Sequence, residues 1–111
     1  MEVTSKQFKH CDLVTVSGRV DSATSPKLND AFESITSAGR FKIVLDMSSL
    51  EYMSSAGFRT LISAQRNCKH YNRGEVILAS VPENINSALE LAGFTSLFRI
   101  FPDVTTAVGS F

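Results

Sequence analysis

Two adjacent hydroxyls, Ser54 and Ser55, stand just before Ala56-Gly57, where a strand-like segment gives way to helical spacing. A hydroxyl in the first turn of a helix can do two kinds of chemistry. It can cap, accepting a hydrogen bond from one of the backbone N–H groups that a helix start leaves without a partner. It can also carry a phosphoryl group, because the phosphate would meet those same N–H groups and the positive end of the helix dipole. Both readings apply to Ser55, and the second makes it a candidate switch. Two further groups belong with it in the chain's list of reactive side chains. Asp21 and Thr24 form a polar turn that also reads as the cap of a helix, and Arg59 lies one turn beyond Ser55. Asp46 ends the preceding apolar run with no second carboxylate beside it, which favours a loop cap over a metal ligand.

Other chemistries lack their residues. A nucleophilic serine on a strand-to-helix elbow needs G-x-S-x-G, but Met53 stands two before Ser55, and neither His10 nor His70 has a supporting motif. A phosphoryl-accepting receiver with Asp46 at its third strand would need an acidic pair after the first strand, where Gly18-Arg19 stands instead. There is no GxxxxGK[ST] loop. Cys11 and Cys68 form no CxxC, and two histidines do not complete a zinc set, so both thiols read as small buried side chains. No catalytic residue, metal or cofactor is expected.

The elements that must position Ser55 follow from periodicity. Val3 to Phe8 is extended, His10-Cys11-Asp12 reads as a hairpin turn, and Leu13 to Ser17 is a β-rich segment that continues through Arg19-Val20. Asp21 to Pro26 is a dense helix-start signal, Leu28, Ala31, Phe32 and Ile35 share one helical face, and Gly39 closes it. Phe41 to Leu45 is nearly all apolar, as a strand covered on both faces should be, and Asp46 to Gly57 reads as a loop. Gly57, Leu61, Ala64 and Cys68 predict a second helix from about Ser55 to His70, with Phe58 and Ile62 widening its stripe. Glu75 to Ala79 is a short buried strand. Pro82 starts a third helix that Gly93 stops, Leu97 to Phe101 is a last strand, and Asp103 caps a terminal helix through Val108. Strands and helices alternate after the opening hairpin, so the sheet must be mixed and mostly parallel with helices packed on it. In such sheets function gathers at the carboxyl ends of the strands, where both the Asp21 to Ser25 and the Asp46 to Gly57 segments fall.

Length and charge narrow the class further. The 111 residues suit a single domain spanning 1–111, and 43% hydrophobic with 20% charged residues is ordinary for a soluble globular chain. Eleven basic residues balance eleven acidic ones and are scattered, so no field draws in nucleic acid or an anionic membrane. The opening MEVTSKQFKH has no apolar run and nowhere do eighteen apolar residues follow one another, so no membrane insertion and a cytoplasmic location with reduced thiols are expected.

Four motifs in order resemble the signatures of STAS domains, the family that joins sulfate transporters with bacterial anti-sigma factor antagonists. They are Gly18-Arg19-Val20-Asp21 with Thr24, Leu45-Asp46-Met47-Ser48, Tyr52 to Arg59, and Leu89-Glu90-Leu91-Ala92-Gly93-Phe94. The resemblance covers essentially the whole chain. It implies an α/β STAS-type fold, a mixed, mostly parallel sheet of about five strands with about four helices packed on it. In stand-alone members the serine two before the helix-opening glycine is phosphorylated by a partner anti-sigma factor serine kinase, which maps onto Ser55. The resemblance thus implies a non-enzymatic anti-sigma factor antagonist whose unphosphorylated form binds that kinase and frees a sigma factor, with a phosphoserine phosphatase as an opposing partner. Switch-loop and partner-binding residues would be Asp21, Thr24, Ser54, Gly57, Phe58 and Arg59. The sporulation-type pattern has Asp before the phosphorylated Ser and Ser after it, where this chain has Ser54 and Ala56. The competing class is a non-switching STAS scaffold of a transporter or larger signalling assembly, with Ser55 as a cap only.

The side chains around the site carry paired readings of their own. Phe58 is either core or a rim residue beside the switch, and Arg59 is either solvated or paired with a partner carboxylate. Leu91 and Phe94 pack under the last strand or extend an apolar patch. Because a helix start accommodates negative charge, phosphorylation at Ser55 is expected to leave the fold intact and to act at the partner surface.

Overall fold

Val14, Val16 and Val20 alternate with Leu13, Thr15 and Ser17, which gives β2 (Asp12–Val20) one apolar face. The computed structural model describes residues 1–111. β1 (Glu2–Gln7) lies antiparallel to β2, joined by a turn in which the Phe8 N–H donates to the Cys11 carbonyl at 2.8 Å. Asp12 therefore belongs to the strand, opposite Gln7, and the turn is centred before it. β3 (Lys42–Met53), β4 (Glu75–Ala79) and β5 (Ile100–Phe101) follow in parallel, so the sheet order is simply β1-β2-β3-β4-β5.

Each parallel step moves one strand in the same direction, and right-handed crossovers then place every intervening helix on one face. α1 (Ser25–Ser37), α2 (Ser55–Lys69) and α3 (Glu83–Leu91) accordingly bury Leu28, Phe32, Leu61, Ala64, Ile85 and Leu89 against Val14, Ile43, Leu45 and Leu78. α4 (Val104–Gly109) crosses to the opposite face, where Ala107 packs with Cys11, Val44, Ile77 and Ala79. β3 is thus covered on both faces, as its apolar opening required.

Two sequence expectations need correction. The segment from Asp46 to Met53 is not loop, because β3 continues through it and pairs with β2 as far as Val20↔Met53. Two irregularities explain the disguise. Between Thr15 and Ser17, and again between Gly18 and Arg19, β3 carries one residue more than β2, so its inward side chains are Met47, Leu50 and Met53, spaced by three instead of two. The loop is reduced to Ser54 alone. The last strand is also shorter than Leu97 to Phe101: Thr95–Leu97 forms a 3₁₀ turn, and only Ile100 and Phe101 pair with β4. The Leu97 carbonyl is taken by the Gln65 side chain at 2.7 Å, away from the ladder.

Candidate functional site

The bulged end of β3 delivers the chain into α2 next to the end of β2. The Ser54 N–H donates to the Val20 carbonyl at 2.8 Å, which ties the start of α2 to the residue preceding Asp21. Both segments expected at the strand carboxyl ends are therefore side by side. Ser54 is the residue in the cap position, with an extended backbone (φ −80°, ψ 175°), and its carbonyl accepts from the Phe58 N–H at 3.1 Å. Ser55 is the first helical residue, so capping by Ser55 does not occur. Nor does Ser54 cap with its side chain: its Oγ is buried and has no hydrogen-bond partner.

The consequence is electrostatic. α1 has Pro26 in its first turn, α3 has Pro82 before it and Glu83 within it, and α4 has the Asp103 carboxylate accepting from the Thr106 N–H at 2.7 Å. Only α2 starts with no side-chain cap, no proline and no acidic residue in its first turn. Its free N–H groups and dipole end are uncompensated, and Ser55 stands exposed at that point.

Asp21 and Thr24 form a closed unit beside it. The Asp21 Oδ1 accepts from the backbone N–H of Ala23 at 3.0 Å and of Thr24 at 3.1 Å, while the Thr24 Oγ1 accepts from the Asp21 N–H at 2.9 Å. The Thr24 and Ala23 amides, then the Thr24 hydroxyl and nearby Arg19, hold the Asp21 carboxyl below the usual carboxylate range. That carboxylate is committed to its own turn and makes no hydrogen bond to Ser54 or Ser55. Its role is to shape the loop that borders the site.

Gly57 is buried three residues into α2, and a Cβ there would lie 2.5 Å from Met53 Cγ and 2.9 Å from Val20 Cγ1. It lets the helix start approach the strand ends, and its burial keeps it from a partner's reach. Phe58 is half-buried, packed on the core with its ring 6.3 Å from that of Phe94. Both readings of Phe58 therefore apply in part, and Phe94 is a packing residue. Leu91 points out, 91% exposed. Arg59 is exposed with no ion pair and no hydrogen bond, the two ion pairs being Arg40 with Asp12 and Arg99 with Glu75.

Two features escaped the sequence reading. Gln65 is buried in α2, where Nε2 donates to the carbonyls of Val76 (3.0 Å) and Leu97 (2.7 Å) and Oε1 accepts from the Val76 N–H (2.6 Å). It fixes α2 to β4 and to the turn before β5. Its signal was position: Gln65 falls four after Leu61, on the buried stripe. The second is Arg19, whose guanidinium lies 4.4 Å from the centre of the Tyr52 ring at the edge of the site. Across from the site, burial pushes the Cys11 thiol up and the Cys68 thiol up to about 11, which leaves both protonated and unreactive at neutral pH.

Comparison with known proteins places this geometry. The family model described as the STAS domain matches residues 2–107. BtrV of Bordetella bronchiseptica, provisionally named an anti-sigma factor antagonist, is 25% identical over 111 residues, covering 100% of this chain and 95% of that protein. An anti-sigma factor antagonist from Mycobacterium paratuberculosis superimposes with a TM-score of 0.84 at 20% identity, over 98% of this chain and 92% of that one. The anti-sigma factor antagonist SpoIIAA in its unphosphorylated form gives a TM-score of 0.83 at 12% identity (98% and 92% covered), and the Bacillus SpoIIAA in its phosphorylated form gives 0.77 at 12% (98% of each). No helix of this chain is long and apolar enough to cross a membrane.

Proposed function

The chain belongs to the STAS domain family, and from that premise we propose that all of it acts as one anti-sigma factor antagonist domain, switched at Ser55. Its unphosphorylated form binds a partner anti-sigma factor serine kinase in the cytoplasm and so frees a sigma factor. The kinase transfers the γ-phosphoryl group of ATP to Ser55 Oγ, with ADP as the leaving group, and a phosphoserine phosphatase resets the site by hydrolysis. The chain is the substrate and binding surface; the catalysis is its partners'.

The observation that carries this reading is the bare start of α2, with an exposed hydroxyl as its first helical residue and nothing in its first turn to offset the dipole. A phosphate adds roughly −1.5 to −2 charge, which that start accommodates, so the fold persists. The solution of SpoIIAA in both forms on this same architecture supports that persistence. At a partner interface the same dianion is costly to bury without cations, by several kcal/mol, and about 1.4 kcal/mol already changes affinity tenfold. Phosphorylation therefore acts as an off-switch for binding.

Intact-mass analysis of the protein expressed in its native cell, wild type against Ser55→Ala, tests the assignment. A phosphate-sized increment that disappears in the variant is expected. Its absence under all growth conditions would overturn the switch in favour of a non-switching scaffold.

A further inference from the structure

Resting on the reading of Ser55 as the modified residue, we propose that Arg59 is the group through which the switch is read. In the unmodified protein its guanidinium receives a carboxylate of the partner in the groove between α1 and α2, and a phosphate on Ser55 competes with that carboxylate for the same guanidinium.

Residues four apart on a helix are neighbours on one face, their Cβ atoms about 5–6 Å apart. Ser55 and Arg59 are so related on α2, and both are exposed. Arg59 also opens onto a groove of about 360 Å³ between the two helices, lined with Ser22, Ser25, Asn29, Thr60 and Ser63. Every other group on that lining is uncharged, and no carboxylate of this chain is paired with Arg59. A groove of hydroxyls and one amide around a single unpaired cation selects an acidic side chain, since an apolar anchor would leave those polar groups without partners.

Carboxylate and phosphate both fit the planar fork of a guanidinium. A phosphate one turn away on the same helix is intramolecular and holds Arg59 at a high effective concentration, so a partner carboxylate must displace it. Phosphorylation then does more than add a negative charge: it removes the cation the partner needs. A phosphate acting by repulsion alone would work equally well without Arg59, and this separates the two mechanisms.

The test uses protein carrying genetically encoded phosphoserine at position 55, which needs no knowledge of the kinase. In ³¹P NMR titrations, Arg59→Gln is expected to raise the second phosphate pKa by about 0.3 unit relative to wild type, because the cation favours the dianion. Arg59→Lys, which keeps the charge, is expected to restore most of that shift. Asp21 and Arg19 at the neighbouring strand end act alike in all three proteins and cancel. In ¹H–¹⁵N spectra the Arg59 Nε–H of the unmodified protein is expected to move on addition of the acidic peptide acetyl-Glu-Asp-Glu-amide, and to move less at the same peptide concentration in the phosphoserine protein. Equal phosphate pKa values with and without Arg59, or equal peptide shifts in both forms, would overturn the proposal. The same spectra report whether each variant is folded. Lack of modification in the cell would sink the assignment of Ser55 as a natural site while leaving these measurements interpretable.

Discussion

At the start of α4 the Asp103 carboxylate accepts the Thr106 N–H at 2.7 Å; at the start of α2 Ser54 occupies the same cap position with a similarly extended backbone, yet its Oγ accepts nothing. The backbone of a cap is present at both, and the side-chain bond at only one. A short helix such as α4, six residues long and on the sparsely covered face of the sheet, depends on local bonds for its start. α2 is held from outside: by the Ser54 N–H on Val20, by the close seat of Gly57, and by Gln65 gripping β4. Tertiary fixing leaves its first turn free of capping duty, which is the condition for presenting N–H groups to something other than its own chain.

The difference between the two helix starts depends most on Gln65. Gln65→Ala leaves the buried N–H and carbonyl of Val76 without this partner, frees the part-buried Leu97 carbonyl and opens a void, and should lower stability by about 2–4 kcal/mol in urea denaturation, with faster hydrogen exchange in α2 than in α4. Gly57→Ala comes next. The clash with Val20 and Met53 outweighs the helix propensity gained, so a loss of about 1–3 kcal/mol is expected, with chemical-shift changes centred on the start of α2. The finest distinction pairs the two caps. Ser54→Ala removes a buried hydroxyl that bonds to nothing and should leave stability unchanged or raise it by up to about 1 kcal/mol, whereas Asp103→Ala should lower the denaturation midpoint at neutral pH. The Thr106 amide holds the Asp103 carboxyl below its usual range, so its contribution is present above the ordinary carboxylate pKa and disappears as pH falls through the depressed one. Asp103→Ala and wild type should therefore converge in acid. Asp21 is depressed in both proteins and cancels.

Much of this was legible in the chain. The stripes Leu28 to Ile35 and Leu61 to Cys68 repeat at helical spacing because each helix buries one face, and the terminal Asp103 cap was readable from residue type alone. The outer half of β3 was not, since its bulges replace the two-residue rhythm that marks a strand with a three-residue one. Gln65 was hidden because a polar residue on an apolar stripe looks like an interruption until its three backbone partners, 11 and 32 residues away, are in place. At the site, the position of Ser55 was readable, but that neither Ser54 nor Ser55 caps the helix with its side chain was not. That depends on where a single hydroxyl points, which residue type does not determine.

The sequential strand order has a consequence for how the molecule forms. Every strand hydrogen-bonds to the one made just before it, so no β segment has to wait for a distant partner and the entropy of closing long loops stays small. During synthesis the sheet can grow by one β-α unit at a time, each docking on an edge already present. The two-residue β5 and the α4 cap come last, and a nascent chain still lacking them already contains Ser55, its helix and both strands that seat it.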